Sequence, residues 1–468
     1  MSTAPQDTAA SKTPADPSLP LRQIVSWSAA SIGVTAMGLI NAIYLMKFST
    51  DVLLIAPGVM GAIYGLGRIW DAISDPLVGR MSDRTRSRFG RRRSWIFASV
   101  PAIAIAFVML WAPPDALSPS ALAIWIGAGY LLFSTAQTMF LVPHYALGVE
   151  MTSAYHERTR VSGLRHFIGG LGMLTGLVAF FLVARAGEGQ REIAQSLAMA
   201  LAIGTALLIA LGIAPIRERA EHQGRGGQAL IRAFWDVFRN PHARILLTMY
   251  GIEHFGVAIT GVLAVYMAEY IVLAPPTFFI VVLICSVGSS IAFAPLWIRL
   301  SRSVGKRRLW LWGTAAASVS YLLHAALFEG WLVFWCLIAI ATGATSGLAR
   351  VVGLSIKADV IDWDEVHSGE RKEGAYLAVW TFVEKSAAGI SIILLGFALQ
   401  IVGYDPNAEQ SEAMKWTLRG LYGVFPAICF LGGTFLLSRF GLDETEHARI
   451  RAELDRRRET ANEGTPLG

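Results

Sequence analysis

Gly90-Arg91-Arg92-Arg93-Ser94-Trp95 is echoed in the second half of the chain by Gly305-Lys306-Arg307-Arg308-Leu309-Trp310. Each copy follows the second in a series of apolar runs about 20 residues long, the length at which an α-helix crosses a bilayer. One loop closing the second helix of two successive series means that six helices are repeated. Reading outward from the two loops gives twelve runs, at 22–48, 57–81, 94–113, 120–149, 163–185, 193–214, 244–271, 276–299, 308–328, 331–356, 374–403 and 416–439. A fainter echo pairs Glu157-Arg158 after the fourth run with Glu370-Arg371 after the tenth. The expected fold is an all-α membrane protein, twelve transmembrane helices in two six-helix halves. Its expected divisions are a disordered tail at 1–21, an N-terminal half at 22–214, a connecting loop at 215–243, a C-terminal half at 244–440 and a tail at 441–468.

Composition agrees. The 468 residues are 54% hydrophobic and 16% charged, with a mean hydropathy of +0.49, a balance no soluble class explains. The net charge of +6 belongs to topology. Arginines crowd the connections after the second and sixth runs, and Arg302, Lys306, Arg307 and Arg308 that after the eighth, whereas 112–120, 271–277 and 327–331 carry no Lys or Arg. By the positive-inside rule the basic loops and both termini are expected in the cytoplasm, and no nucleic-acid partner is implied. The first 21 residues lack the apolar core of a cleaved signal. Cys285, Cys336 and Cys429 each fall in a predicted helix, as packing residues and not a disulfide framework.

The chemistry concentrates in the second run, Gly67-Arg68-Ile69-Trp70-Asp71-Ala72-Ile73-Ser74-Asp75-Pro76. An ionised aspartate at the centre of a membrane helix costs about 2.5–3.5 kcal/mol even on the lenient insertion scale. Asp71 and Asp75, one turn apart on one face, must therefore look into a polar cavity, where two like charges stay ionised only beside a cation or a basic side chain. Pro76 has no N–H to give, which frees the carbonyl of Ala72 as a further ligand.

These residues resemble a known group. The twelve runs, the doubled loop and Gly79-Arg80-Met81-Ser82-Asp83-Arg84 are similar to the major facilitator superfamily. The stretch from Arg68 to Trp95, with Tyr44-Leu45-Met46, Thr50-Asp51-Val52, Arg165, Thr381 and Lys385, resembles its glycoside-pentoside-hexuronide:cation symporters, among them the bacterial melibiose carrier. The resemblance implies a coupling-cation site at Asp71, Ser74, Asp75 and Thr138, with Asp71 and Asp75 as metal ligands if the ion is Na⁺. Ser74 departs from the asparagine of that carrier; its shorter hydroxyl reaches less far, which weakens the case for sodium and leaves Na⁺ and H⁺ both open. Lys385 is implied to face the aspartates. Two carboxylates and one ammonium leave one negative charge, which a single Na⁺, Li⁺ or H⁺ neutralises; no cofactor is expected. That carrier's galactoside carboxylates are replaced by Thr35 and Leu141. Substrate-binding candidates are Thr35, Tyr145, Arg165, Trp380 and Thr381, with His144, His166, Tyr376, Glu253 and His254 near the same cavity. Aromatic faces and bidentate polar groups suit a sugar.

A cytoplasmic gate is expected between Asp83, Arg84, Arg91, Arg92 and Arg93 of one half and Asp359, Asp362, Asp364 and Glu365 of the other. Gly61 to Gly65 and Gly172 to Gly176 are small-residue spacings for close helix approach. The expected protein is a monomeric, cation-coupled importer of a sugar or glycoside in a bacterial inner membrane, touching membrane lipid and working by alternating access. The rival readings are a carrier of lysolipid or another amphiphile, a membrane transferase and a sugar sensor. The chain has no HExxH, GxSxG or phosphate-cradling loop to make it an enzyme.

Overall fold

The computed structural model describes residues 19–152, 155–216, 218, 230–370 and 372–463. The first six spans are α1 (Leu21–Lys47), α2 (Pro57–Arg84), α3 (Arg91–Trp111), α4 (Pro119–Glu150), α5 (Tyr155–Ala184) and α6 (Gln190–Ile213). After a short α7 (Leu230–Arg239) come α8 (Pro241–Tyr266), the pair α9 (Pro276–Ala292) and α10 (Ala294–Val304), α11 (Lys306–His324), α12 (Leu332–Ser368) and α13 (Glu373–Val402). The pair α14 (Glu412–Arg419) and α15 (Phe425–Ser438) closes the second set, and α16 (Glu444–Glu463) follows. Nine of the described helical segments are long and apolar enough to cross a bilayer, and α9 with α10, bent by 42°, makes a tenth. The charge-rich α2 and the 19-residue α11 complete twelve spans.

Local chemistry sets the boundaries. Pro57, Pro119, Pro241 and Pro276 open α2, α4, α8 and α9, where a missing N–H costs nothing. Asn240 caps α8 by accepting from His242 N at 3.0 Å and Ala243 N at 3.2 Å, so the second half begins earlier than 244. Pro295, near the start of α10, withdraws an amide and marks the bend after α9. The connection expected at 215–243 is helical at α7, whose Phe234 meets Phe382 of α13 edge-on at 4.9 Å. Most of the tail expected at 1–21, the loop residues Arg217, Arg219 and Arg225, and Arg371 of the fainter echo lie outside the described residues.

The internal repeat is visible in the backbone. Gly90 (φ 97°) and Gly305 (φ 85°) both adopt the left-handed region just before α3 and α11, which explains why glycine opens both copies of the motif. The α3 N-terminus is closed by Glu218, which accepts from the backbone N–H groups of Arg91, Arg92 and Arg93 at 3.0, 3.0 and 2.8 Å. A carboxylate there satisfies orphan donors and meets the positive end of the helix dipole. Glu444 stands at the matching place beneath α11, 3.8 Å from where a Cβ of Gly305 would lie. At the opposite end, α1 and α8 each finish in a π-helical turn, Phe48–Val52 and Met267–Val272, followed by left-handed Leu54 and Leu273.

The halves meet most extensively along α2 and α13. A Cβ on Gly61 would lie 2.7 Å from Gly396 Cα, and one on Gly65 2.3 Å from the Gly389 carbonyl, so these backbones approach as only glycines allow. Within the first half, Gly172 and Gly176 admit α5 against the Ile32 and Ala36 carbonyls of α1. Gly61→Val is expected to wedge the crossing apart at a cost of about 1–3 kcal/mol, read as a lowered thermal midpoint in detergent. Gly204→Ala, whose Cβ meets nothing within 4 Å, is the control and should leave the midpoint unchanged or slightly raised.

Candidate cation and substrate site

Asp71 and Asp75 face α4 from the middle of α2. Asp71 is only 9% exposed and accepts a hydrogen bond from the hydroxyl of Ser134. Asp75 Oδ1 accepts from Thr138 Oγ1 at 2.8 Å, and its Oδ2 pairs with Lys385 Nζ of α13 at 2.6 Å. Ser74 Oγ lies 3.5 Å from Thr138 Oγ1 and 3.5 Å from the Asp71 carbonyl. All of the residues expected at the cation site therefore gather with Lys385, and Ser134 joins them. Ser134 and Thr138 repeat on α4 the one-turn spacing of the aspartates, so two acids on one helix oppose two hydroxyls on the next.

Two carboxylates and three hydroxyls form an all-oxygen set suited to a hard monovalent cation or a proton. Among the described residues no three His, Cys, Asp or Glu side chains gather in the manner of a transition-metal site. Asp75 and Lys385 each keep 25% of their side-chain surface exposed, so the bridge borders open space while Asp71 lies behind it. Arg68 is not the partner of either acid in the recorded ion pairs, and its Nε is buried without a hydrogen-bond partner among the described residues.

At the end away from the basic loops, the two π-helical turns meet. Lys47 pairs with Asp51 and with Glu269 at 3.0 Å. Asp51 Oδ1 accepts from Tyr404 Oη at 2.7 Å and Oδ2 from Tyr270 Oη at 3.0 Å. Asn407 Nδ2 donates to the Asp51 carbonyl at 2.8 Å, and Thr50 and Tyr266 share a hydrogen bond of 3.0 Å. The Lys47 ammonium also sits 4.5 Å above the Tyr270 ring, a cation–π contact strengthened by burial. This plug joins α1 to α8 and α13, one half to the other.

At the basic end the ion pairs among the described residues run within each half. Arg92 bridges Asp83 at 2.9 Å and Glu150 at 2.8 Å, and Arg91 meets Glu150 at 2.5 Å. Asp359 pairs with Lys306 at 2.8 Å, while Asp362 meets His447 and Arg451 of α16, each at 3.3 Å. Among the described ion pairs, Asp83, Arg91, Arg92, Asp359 and Asp362 thus meet partners of their own half, and Arg84 enters none of them.

The substrate candidates fall into two groups. Tyr145 is exposed, with the Arg165 guanidinium 4.4 Å above its ring, and Thr381 is exposed one turn from Lys385. Thr35 instead packs onto Gly172 of α5, and Trp380 is buried. His144 is fully buried, stacked on Trp27 at 4.7 Å with Nε2 2.9 Å from the Trp27 carbonyl, a core position. Tyr376 is likewise buried, its hydroxyl accepting from Asn240 Nδ2 at 2.9 Å.

Residues 26–444 match the family model described as MFS/sugar transport protein. The chain belongs to that family. It is a multi-pass membrane transporter of the major facilitator superfamily, not an enzyme, and the resemblance read from the α2 motif falls within the same group. Related proteins include the uncharacterised symporter YjmB of Bacillus subtilis, 26% identical over 93% of this chain and 95% of the relative. YagG of Escherichia coli, provisionally named a glycoside/cation symporter, is 24% identical over 93% and 95%. The sodium-dependent lysophosphatidylcholine symporter 1 of Mus musculus is 26% identical over 91% and 86%. Among solved structures, the nucleoside transporter NupG superposes with a TM-score of 0.63 at 13% identity, covering 90% of this chain and all of that one. This likeness concerns the fold alone.

In the transporter, the plug residues Lys47, Glu269, Tyr404 and Asn407 were silent in sequence and Asp51 entered only through the Thr50-Asp51-Val52 match, although Lys47 and Asp51 stand one turn apart in an apolar run, the same signal as in α2. Lys47→Met should leave the buried Asp51 without its ammonium, weakening the plug by about 3–5 kcal/mol. The expected readout is faster thiol labelling of a cysteine placed at Ser49, with labelling at the basic end reduced.

Proposed function

We propose that this transporter is a cation-coupled symporter of a sugar or glycoside, working by alternating access in a bacterial inner membrane with both termini in the cytoplasm. The observation that carries the reading is the Asp75–Lys385 bridge between halves, with Asp71 beside it. Two carboxylates against one ammonium leave one negative charge in a site walled by apolar helices, and such a charge resists enclosure until a Na⁺, Li⁺ or H⁺ joins it. The ion and the cargo are thereby coupled: closure around cargo is favoured only in the ion-loaded state. Basic loops on the cytoplasmic side make the plug at Lys47 and Asp51 extracellular, and a molecule closed there and internally paired at the other end corresponds to an inward-facing conformation. In the outward-facing one, Asp83, Arg84, Arg91 and Arg92 exchange partners for Asp359 and Asp362.

Tyr145 with Arg165, and Thr381 beside Lys385, offer a ring face, bidentate donors and a hydroxyl for a sugar. A second reading, carriage of a lysolipid, is favoured by the mouse relative named above and by the apolar Leu141. Uptake into proteoliposomes across a panel of glycosides, pentosides, uronides and lysophospholipids, under imposed Na⁺ or proton gradients, separates the two. Asp75→Asn is expected to remove concentrative uptake, by at least about 100-fold if coupling is worth roughly 3 kcal/mol, while leaving cargo exchange measurable. Undiminished accumulation by that variant would overturn the cation role.

A further inference from the structure

The C-terminal half encloses a cavity of about 480 Å³ between α8, α11, α12, α13 and α15 that the cation site does not use. Glu253 of α8 lines it and is 4% exposed. Its Oε1 is buried and has no hydrogen-bond partner among the described residues. The space for this carboxyl is made by Gly433 of α15, where a Cβ would stand 2.8 Å from Oε1.

The charged groups around the cavity are engaged elsewhere. The Lys357 ammonium lies 3.8 Å above the Tyr250 ring and 5.2 Å above that of Trp380. Arg350 is exposed at the rim, with Nε 3.4 Å from the Ser346 carbonyl. Glu384 of α13 faces His254, Oε1 to Nε2 at 3.7 Å. From α11 the titratable neighbour is Tyr321, and α15 brings Phe430 and Gly433 without charge. An ionised Glu253 would be a buried charge with neither counter-ion nor hydrogen bond on that oxygen. A protonated, neutral carboxyl avoids that cost.

A second titratable pair, His254 and Glu384, lines the same cavity. His254 Nδ1 is 2.9 Å from the Tyr250 carbonyl; the carbonyl only accepts, so Nδ1 carries the hydrogen and Nε2 is turned toward Glu384. Glu384 precedes Lys385, whose ammonium closes on Asp75. We propose that Glu253 is a second ion-coupling site, a proton-exchange site in the C-terminal half, loaded and emptied through this cavity as the halves rock. Loading takes a proton from hydronium in the cavity and leaves water; emptying returns it to water when the cavity opens to the other side. The exchange step rests on the symport reading above, whereas the protonated carboxyl does not.

The test uses the full-length protein in lipid at saturating NaCl, without cargo. Infrared difference spectra on a pH step should show a protonated-carboxyl C=O band that moves in D₂O, is lost as pH rises, and is missing from Glu253→Gln. Gly433→Ala, which presses a methyl on the same carboxyl, should shift the band and so assigns it even if the glutamine variant folds poorly. Absence of the band from the wild type, or its persistence unchanged in both variants, overturns the site. With a cargo from the panel, Na⁺-driven uptake at equal pH on both sides should fall about tenfold per pH unit above the titration, the slope of one proton, and be flat in Glu253→Gln. An identical profile in that variant overturns the exchange role. A band that behaves as expected in a protein that accumulates nothing on the panel would instead count against the symport reading alone.

Discussion

A carboxylate within a membrane helix has to find a partner, and in this protein the partner of Asp75 comes from the other half of the molecule. The Asp75–Lys385 bridge ties α2 to α13 at the level where those helices separate from their glycine-lined contact. Because the bridge satisfies only one of two acids, the site it borders is defined by what it lacks in charge. Asp71, held by the Ser134 hydroxyl, makes no ion pair among those described and feels the Lys385 and Arg68 charges only from farther off. The rest of the architecture, two halves that meet most extensively along α2 and α13, gives that imbalance something to control.

The two ends of the molecule solve the same problem in different ways. At the plug, Lys47 and Asp51 share tyrosine hydroxyls and an asparagine drawn from the opposite half. At the basic end the arginines of α3 and the aspartates of α12 are balanced within their own halves. Among the described ion pairs, Lys47–Glu269 of the plug crosses the interface and those of the basic end do not. An exchange of partners at each end, with no net loss of pairing, is the low-cost way for a membrane protein to move between two states.

Much of this was legible from pattern. Twelve spans, the doubled Gly-basic loop and the buried aspartates follow from helix length, repeat and the expense of charge in lipid. Asp71, Ser74 and Asp75 of α2 and Thr138 of α4, the residues proposed for the cation, lie within one cluster. What pattern could not supply was partnership across elements distant in sequence. Ser134 is one hydroxyl among many until α4 is laid on α2. Trp380 and Thr35 looked as available as Tyr145, but helix rotation buries the first and turns the second onto α5. The helix within the connecting loop was missed because α7 is ten residues long, with a charged face that reads as loop.

The carboxylates set beneath α3 and α11 have a mechanical meaning. Glu218 fastens the end of the first half's chain to the N-terminus of α3 through three backbone bonds, and Glu444 occupies the equivalent corner of the second half. The first half is thereby tied at its base, the chain after α6 to the start of α3, while the glycines of α2 and α13 let its inner face lie close against the second half.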